Sequence, residues 1–178
     1  DPDEPVAIGG YLPLEMVYNF EPMPANIDPD KKHHILGAQG NVWTEYIPTE
    51  EYLEYMAVPR MCALSEVVWT PAEDRDYEKF LYRMGGHYLR LDAMKVNYRV
   101  PPPVCTEDNF VFLREFELEL HNPMDEADIH YTTDGSDPDA NSSVYVNPLV
   151  FENDAVVKAA TILPSGQSSF ALTIKLDK

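Results

Sequence analysis

The sequence predicts an α+β protein with a helical first part and a small antiparallel β-sandwich at its end. Between Thr49 and Met94, apolar residues keep a spacing close to that of amphipathic helices. After the prolines Pro101-Pro102-Pro103, apolar and acidic residues alternate with a period of two, which is typical of half-buried strands. Because three prolines favour a stiff, extended connector, we expect two domains, residues 1–100 and 101–178.

The first domain is expected to be mainly helical. Thr49 is a suitable N-cap, since Glu50 and Glu51 follow in the turn where the helix dipole favours acidic side chains. Pro59 must kink or restart this helix. A short helix is predicted near Leu14 to Tyr18, within a loop rich in proline and acid. A longer helix is predicted from Asp76 to Met94, with one apolar stripe formed by Tyr77, Phe80, Leu81, Met84, Tyr88 and Leu91.

Two charged residues, Arg60 and Glu66, lie inside the otherwise apolar run of the first helical segment. Charge is tolerated in such a place when it is paired. We therefore predict that both side chains have structural partners and are not catalytic.

The second domain contains several short segments with strand character. Phe116, Leu118 and Leu120 alternate with glutamates, and turn formers such as Asp134-Gly135 separate the segments. Several short strands at this spacing indicate a small β-sandwich. The further strands are predicted at Asp128 to Thr133, Ser143 to Val146, Ala155 to Leu163 and Ser169 to Leu176.

Composition limits the possible partners. The chain has 178 residues, 13 basic and 31 acidic, and a formal net charge of −18. Nucleic acid and anionic membranes attract basic surfaces, so we expect neither as a partner. No run of about 18 apolar residues exists to insert into a membrane. Two cysteines, Cys62 and Cys105, make no disulfide framework and are expected to be unpaired.

The segment from Ile35 to Glu45 predicts a binding pocket. It reads as a short apolar strand that breaks into glycine and then presents Trp43 and Glu45 two residues apart. In an extended segment these two side chains would project from the same face. An indole beside a carboxylate suits a sugar ring, whose C–H face lies on the indole while its hydroxyls donate to the carboxylate. The competing interpretation is that Trp43 packs in the core and Glu45 begins a solvated loop.

The residues that follow resemble a known family. Trp43-Thr44-Glu45-Tyr46-Ile47-Pro48 leads into Val58-Pro59-Arg60-Met61-Cys62-Ala63-Leu64-Ser65-Glu66-Val67-Val68-Trp69, and this resembles the end of the catalytic barrel of glycoside hydrolase family 20, the β-N-acetylhexosaminidases. The resemblance covers about residues 6 to 99. It implies a partial (β/α) barrel segment, namely the last strand and helices, and it assigns Trp43 and Glu45 to the pocket for a terminal N-acetylhexosamine.

The same resemblance implies that catalytic groups are missing here. Family members carry the acid in an Asp-Glu pair on an earlier strand, and a Tyr and an Asp that hold the acetamido group also come earlier. The chain's own Asp3-Glu4 and Asp125-Glu126 follow no buried strand and are interpreted as solvated loops. Because the family uses the substrate's acetamido oxygen as nucleophile, we expect this chain to be an inactive C-terminal fragment.

A third candidate for the sugar pocket is Tyr11. Family members often place a tryptophan near this loop, and here Tyr11 either stacks on the sugar or packs under the loop. The resemblance implies glycans with terminal N-acetylhexosamine as partners, no cofactor, and a periplasmic or extracellular location. Self-association of the truncated barrel is also expected, because its apolar faces would lack their neighbours.

Two tempting metal sites are not favoured. His33 and His34 are adjacent, but neither a cysteine nor a suitably spaced carboxylate pair completes a site. The acidic stretch from Asp134 to Asp139 lacks the spacing and closing glutamate of an EF-hand loop, so a turn is predicted.

The motif Ile129-His130-Tyr131-Thr132-Thr133-Asp134-Gly135-Ser136-Asp137-Pro138 resembles the immunoglobulin-like C-terminal domain of many hexosaminidases and chitobiases, over about residues 104 to 178. Such a sandwich is either a carbohydrate-binding module, using aromatics such as Tyr131 or Tyr145, or a structural brace for the barrel.

Overall fold

A computed structural model describes residues 12–178 of the chain. The described residues form two compact units that divide between Arg99 and Val100. None of the helices in residues 12–178 is long and apolar enough to cross a membrane.

The first unit is built from helices, and its bounds follow the predicted signals. Thr49 caps the second helix by accepting a hydrogen bond from the Tyr52 backbone N–H at 3.2 Å, and the chain restarts its helix after Pro59. Asp76 caps the fourth helix by accepting from the Lys79 N–H at 3.1 Å. The helices are α1 (Leu14–Tyr18), α2 (Glu50–Ala57), α3 (Arg60–Trp69) and α4 (Tyr77–Ala93), with 3-10 turns at Pro29–His34, Thr44–Tyr46 and Ala72–Asp74.

The predicted apolar stripe of α4 is confirmed as the core of this unit. Phe80, Met84, Tyr88 and Leu91 are all buried along one side of the helix. Tyr18 of α1 packs on this stripe, with its ring centroid 4.9 Å from that of Phe80. The short first helix is therefore held against the long last one.

The predicted strand from Ile35 to Glu45 is wrong. The structure shows no regular element from Ile35 to Trp43, and Thr44–Tyr46 form a 3-10 turn. A strand needs a neighbour for its backbone N–H and C=O groups, and none of the described residues 12–99 forms a strand.

The second unit is a β structure with two sheets. Strands β2 (Phe116–Leu118) and β5 (Leu149–Phe151) pair in one antiparallel sheet, with Glu117 opposite Val150. A second sheet of five strands has the order β1-β7-β6-β3-β4. Its strands are β1 (Asn109–Val111), β3 (Asp128–Thr132), β4 (Ser143–Val144), β6 (Ala155–Ile162) and β7 (Leu172–Asp177).

Both sheets contribute to one hydrophobic core, in agreement with the period-two pattern. Leu118 of β2 is buried together with Ile129 of β3, Val157 of β6 and Ile174 of β7. An antiparallel sandwich was predicted, but the five-stranded sheet is mixed because β1 runs parallel to β7. Strands β1 and β5 are further departures from the prediction. Neither segment, Asn109–Val111 or Leu149–Phe151, alternates apolar with polar residues.

Candidate functional site

The candidate sugar-binding residues Trp43 and Glu45 both face solvent. Trp43 is 69% exposed, so this side chain does not pack in the core of the described residues. Its backbone is extended (φ −86°, ψ 119°), but Glu45 lies one step further, inside the 3-10 turn Thr44–Tyr46. Trp43 is the residue before this turn and Glu45 lies within it, so the period-two geometry of a strand does not apply to the pair. The prediction that the two side chains project from the same face of a strand is therefore wrong.

Tyr11, the third candidate, lies outside the described residues. The chain that follows it is fixed by Arg60, whose Nε donates to the Leu12 carbonyl at 2.9 Å. Another nitrogen of the same guanidinium donates to the Met56 carbonyl at 3.1 Å. Arg60 thus ties the segment next to Tyr11 to the end of α2, which confirms its structural pairing. Its partner at Leu12 was not predictable, because a backbone carbonyl has no signature in the sequence.

Glu66 also has the structural partners that were predicted for it. Its Oε1 accepts a hydrogen bond from the Tyr18 hydroxyl at 2.7 Å, and Arg83 donates to both carboxylate oxygens at 2.6 and 2.5 Å. The Tyr18 oxygen also accepts from the Asp76 backbone N–H at 2.8 Å. Burial, followed by the bond to Glu66, raises the pKa of Tyr18. Every part of Glu66 is thus engaged in joining helices.

The alternative catalytic candidates lie where a carboxyl group has no apolar surroundings. Asp125 and Glu126 are exposed in a turn, so burial does not prepare either of them to act as an acid. Asp3-Glu4 lies outside the described residues.

The possible metal ligands do not assemble. Among the described residues, no group of three or more His, Cys, Asp or Glu side chains is placed to hold a metal ion. His33 and His34 pack ring to ring, with centroids 4.0 Å apart, in an exposed 3-10 turn. Cys62 and Cys105 are both free and partly buried, and burial raises the pKa of the Cys62 thiol.

The acidic stretch of the second unit is a turn stabilised by its own side chains. Asp134 accepts from the Ser136 N–H at 3.0 Å and from its hydroxyl at 2.6 Å, while Asp139 accepts from the Asn141 N–H at 2.8 Å. These bonds, with the Ser136 hydroxyl contributing most at Asp134, hold the pKa of both carboxyls below its usual value. Asp137 pairs instead with Lys158 at 2.7 Å. The turn predicted for this segment is confirmed.

The aromatic residues that would make the second unit a glycan-binding module are used for packing. Tyr131 and Tyr145 are partly buried against the core cluster, and the Tyr145 hydroxyl accepts from the Leu120 N–H at 3.0 Å. In residues 100–178, every Phe and Tyr side chain is at least partly buried. An aromatic platform for a sugar ring is therefore missing from this unit as the structure describes it.

Comparison with known proteins connects this geometry to a family. Residues 1–72 match the model of the glycosyl hydrolase family 20 catalytic domain, and residues 118–175 match the model described as Fn3 associated. Trp43 and Glu45 fall inside the first match.

Several curated relatives carry hexosaminidase names. A beta-hexosaminidase of Porphyromonas gingivalis is 37% identical over 180 residues, covering 98% of this chain and 23% of that protein. A beta-N-acetylhexosaminidase of Cellulomonas fimi is 30% identical over 53% of this chain and 19% of its own length. A beta-hexosaminidase of Akkermansia muciniphila is 36% identical over 42% of this chain and 15% of its own length. The chain spans about a quarter or less of these relatives. Its first 72 residues thus belong to a glycosyl hydrolase family 20 catalytic domain, and residues 118–175 to an Fn3-associated segment.

Proposed function

We propose that the protein to which this chain belongs is an exo-acting β-N-acetylhexosaminidase. It removes terminal N-acetylhexosamine from glycans by a retaining mechanism in which the substrate's acetamido oxygen is the nucleophile. The main support is the Trp43-Thr44-Glu45 triplet, which lies within the family 20 match and carries a solvent-exposed tryptophan. Relatives named beta-hexosaminidase agree with this activity.

In this proposal Trp43 and Glu45 bind the sugar and perform no proton transfer. The exposed indole of Trp43 offers an apolar face to the ring. The carboxylate of Glu45, also exposed, accepts hydrogen bonds from sugar hydroxyls. Tyr11 is the third member of this subsite. Because both described side chains project from an exposed turn, other parts of a complete catalytic domain must form the rest of the sugar pocket.

The proposed architecture is the closing segment of a (β/α) barrel, present in residues 12–99 as helices without the expected strand, followed by an immunoglobulin-like sandwich. The family 20 match and the helices α2 to α4 support the barrel assignment. Two sheets that share one core support the sandwich. Active sites of such barrels lie at the carboxyl ends of the strands, which suits a binding turn that directly precedes α2.

The second unit is proposed to brace the catalytic domain and not to bind glycans. The supporting observation is that Tyr131 and Tyr145 pack on its core. Calorimetric titration of the chain with N-acetylglucosamine oligomers checks this role. Binding that survives Trp43→Ala but is lost in Tyr131→Ala would assign glycan recognition to the second unit.

A periplasmic or extracellular location, where glycan substrates are found, is part of this proposal. Self-association of the chain on its own is also proposed, since Leu36 and Trp69 are 94% and 87% exposed. Light scattering after size-exclusion chromatography measures this directly. A single monomeric species at all concentrations would contradict it.

The activity is tested in a protein that joins this chain to the preceding part of a family 20 catalytic domain. Glu45→Gln keeps the shape of the side chain but weakens its hydrogen bonds, so kcat/KM for an aryl N-acetyl-β-glucosaminide should fall by about 30- to 1,000-fold. Trp43→Ala should raise KM as well. Glu50→Gln, at an exposed position in the first turn of α2, is the matched control and should leave both parameters unchanged. Wild-type values in Glu45→Gln would reduce this carboxylate to a surface residue.

A further inference from the structure

The loop that carries Trp43 lies against helix α3 at one glycine. This loop, residues 35–43, is mostly exposed and has no regular secondary structure. Gly40 is the point of close approach. A Cβ atom built on Gly40 would be 3.0 Å from Leu64 Cδ2. Real Cβ atoms rarely come so close to another carbon, so a side chain at this position would force the loop or the Leu64 side chain to move by a few tenths of an ångström.

Gly40 is needed for space and not for its backbone conformation. Gly37, in the same loop, has a φ of +156°, whereas Gly40 has no positive φ. Alanine at position 40 would therefore fit the backbone and test only the approach to Leu64. On either side of Gly40, the Gln39 side-chain amide donates to Asn41 Oδ1 at 3.2 Å, and this bond spans the point of contact.

Helix α3, which carries Leu64, is held in place at several points. Its residues Ala63 and Val67 are 0% and 4% exposed. Arg60, at the start of α3, holds the Leu12 carbonyl, and Glu66 holds Tyr18 and Arg83. The position of a loop that packs on this helix is therefore set by the helix. Small displacements of binding groups are costly for catalysis.

We propose that Gly40 is a positioning residue for the sugar subsite, acting by allowing the loop of Trp43 and Glu45 to lie directly on Leu64. This inference rests on the proposed function. The same helix also holds, through Arg60, the segment that follows Tyr11. Helix α3 is thus the common support of the chain next to all three candidate sugar-binding residues.

The test is a double-mutant cycle in the joined protein, followed by KM and kcat for an aryl N-acetyl-β-glucosaminide. Gly40→Ala should lower kcat/KM by about tenfold, mainly through KM, because a fraction of an ångström separates a well-placed from a misplaced binding group. Leu64→Ala removes the atom that the new methyl group would strike. The double variant should therefore lie within about threefold of Leu64→Ala alone, which is a rescue that general destabilisation would not produce.

Two further variants keep the test decisive. Gly86→Ala adds the same methyl group to α4, where nothing lies within 4 Å of it, and should leave KM unchanged. If Leu64→Ala does not fold, Leu64→Val relieves part of the contact and should give partial rescue. Additive losses in the cycle, or an unchanged KM in Gly40→Ala, would overturn the positioning role.

The outcomes separate this inference from the proposed function. Loss of activity in Trp43→Ala and Glu45→Gln, with Gly40→Ala unaffected, would leave the sugar subsite in place and remove only the role of Gly40. Unchanged kinetics in all three variants would instead contradict the subsite itself.

Discussion

Arg83 of α4 donates to both carboxylate oxygens of Glu66 on α3, at 2.6 and 2.5 Å. Glu66 is mostly buried, with 17% of its side chain exposed, whereas Arg83 keeps 54% of its side chain in solvent. The Tyr18 hydroxyl donates to the same carboxylate. Helices α1, α3 and α4 therefore meet at one acidic group.

Replacing this carboxylate by an amide should destabilise the first unit. In Glu66→Gln the charge-assisted bonds to Arg83 are lost, while one bond to Tyr18 can be kept. We expect the free energy of unfolding to fall by about 1–2 kcal/mol, at the lower end for a charged hydrogen bond because water screens the exposed Arg83. Urea unfolding followed by the helical circular dichroism signal measures this, since the helices of the described residues all lie in the first unit.

The control is an ion pair on the surface of the same unit. Lys79 and Asp76 lie 2.9 Å apart, with 76% and 40% of their side chains exposed. Exposed pairs of this kind contribute little to stability. Lys79→Gln should leave the urea midpoint unchanged, and an equal loss in both variants would show that general surface charge is responsible.

Removing the N-cap of α2 should also destabilise this unit. Thr49 accepts from the Tyr52 N–H at 3.2 Å, and its loss in Thr49→Ala leaves one of the first N–H groups of the helix without this partner. We expect a decrease of about 1 kcal/mol in the free energy of unfolding. Thr49→Ser keeps a hydroxyl and should behave like the wild type in the same unfolding experiment. Equal stability of the alanine and serine variants would mean that this cap contributes nothing.

The fold was predictable wherever local signals agree with burial. The N-cap Thr49, the break at Pro59 and the start of a helix near Asp76 were predicted because each depends on neighbouring residues alone. The three-residue strand β1 was missed because its pairing with β7 joins residues more than 60 positions apart. Parallel pairing of this kind leaves no alternating pattern in so short a segment.

For the candidate site, residue types were more predictable than geometry. Trp43 and Glu45 lie shortly before α2, as predicted, but a 3-10 turn at Thr44–Tyr46 replaces the end of the expected strand. A strand depends on pairing with a neighbouring strand, and a short local segment does not reveal whether such a neighbour exists. The approach of Gly40 to Leu64 could not be predicted either, because it depends on the packing of a loop on a helix.

The alkaline limit of stability should depend in part on Tyr77, beside Tyr18, Tyr88 and Tyr98, whose pKa values are also raised by burial. Burial, followed by the charges of Glu15 and Glu78, raises the pKa of Tyr77 from 10.0 to about 12. The neutral phenol is therefore favoured in the folded state, and its contribution is complete below pH 10. It is lost as the pH rises from about 10, where the unfolded chain releases its proton, to about 12.

Tyr77→Phe removes the proton release and should flatten the decrease in stability between pH 10 and 12. The urea midpoint of the helical circular dichroism signal, measured across this range, gives the result. Tyr82, on the same helix and 81% exposed, supplies the matched control. If Tyr82→Phe changes the alkaline profile as much as Tyr77→Phe, burial of Tyr77 is not the cause.

The core of the second unit contains a hydroxyl group that should be dispensable. Thr161 of β6 is fully buried, and its Oγ1 has no hydrogen-bond partner among the described residues. Burying an unpaired hydroxyl is unfavourable, while valine has nearly the same shape and no polar atom. Thr161→Val should therefore raise the free energy of unfolding, by up to about 1 kcal/mol. Thermal unfolding followed by the β-sheet circular dichroism signal measures the change.

Thr132→Val is the matched control, since the Thr132 hydroxyl donates to the Ser136 carbonyl, and its loss should lower the midpoint. A lower midpoint in Thr161→Val as well would mean that the Thr161 hydroxyl stabilises the folded state.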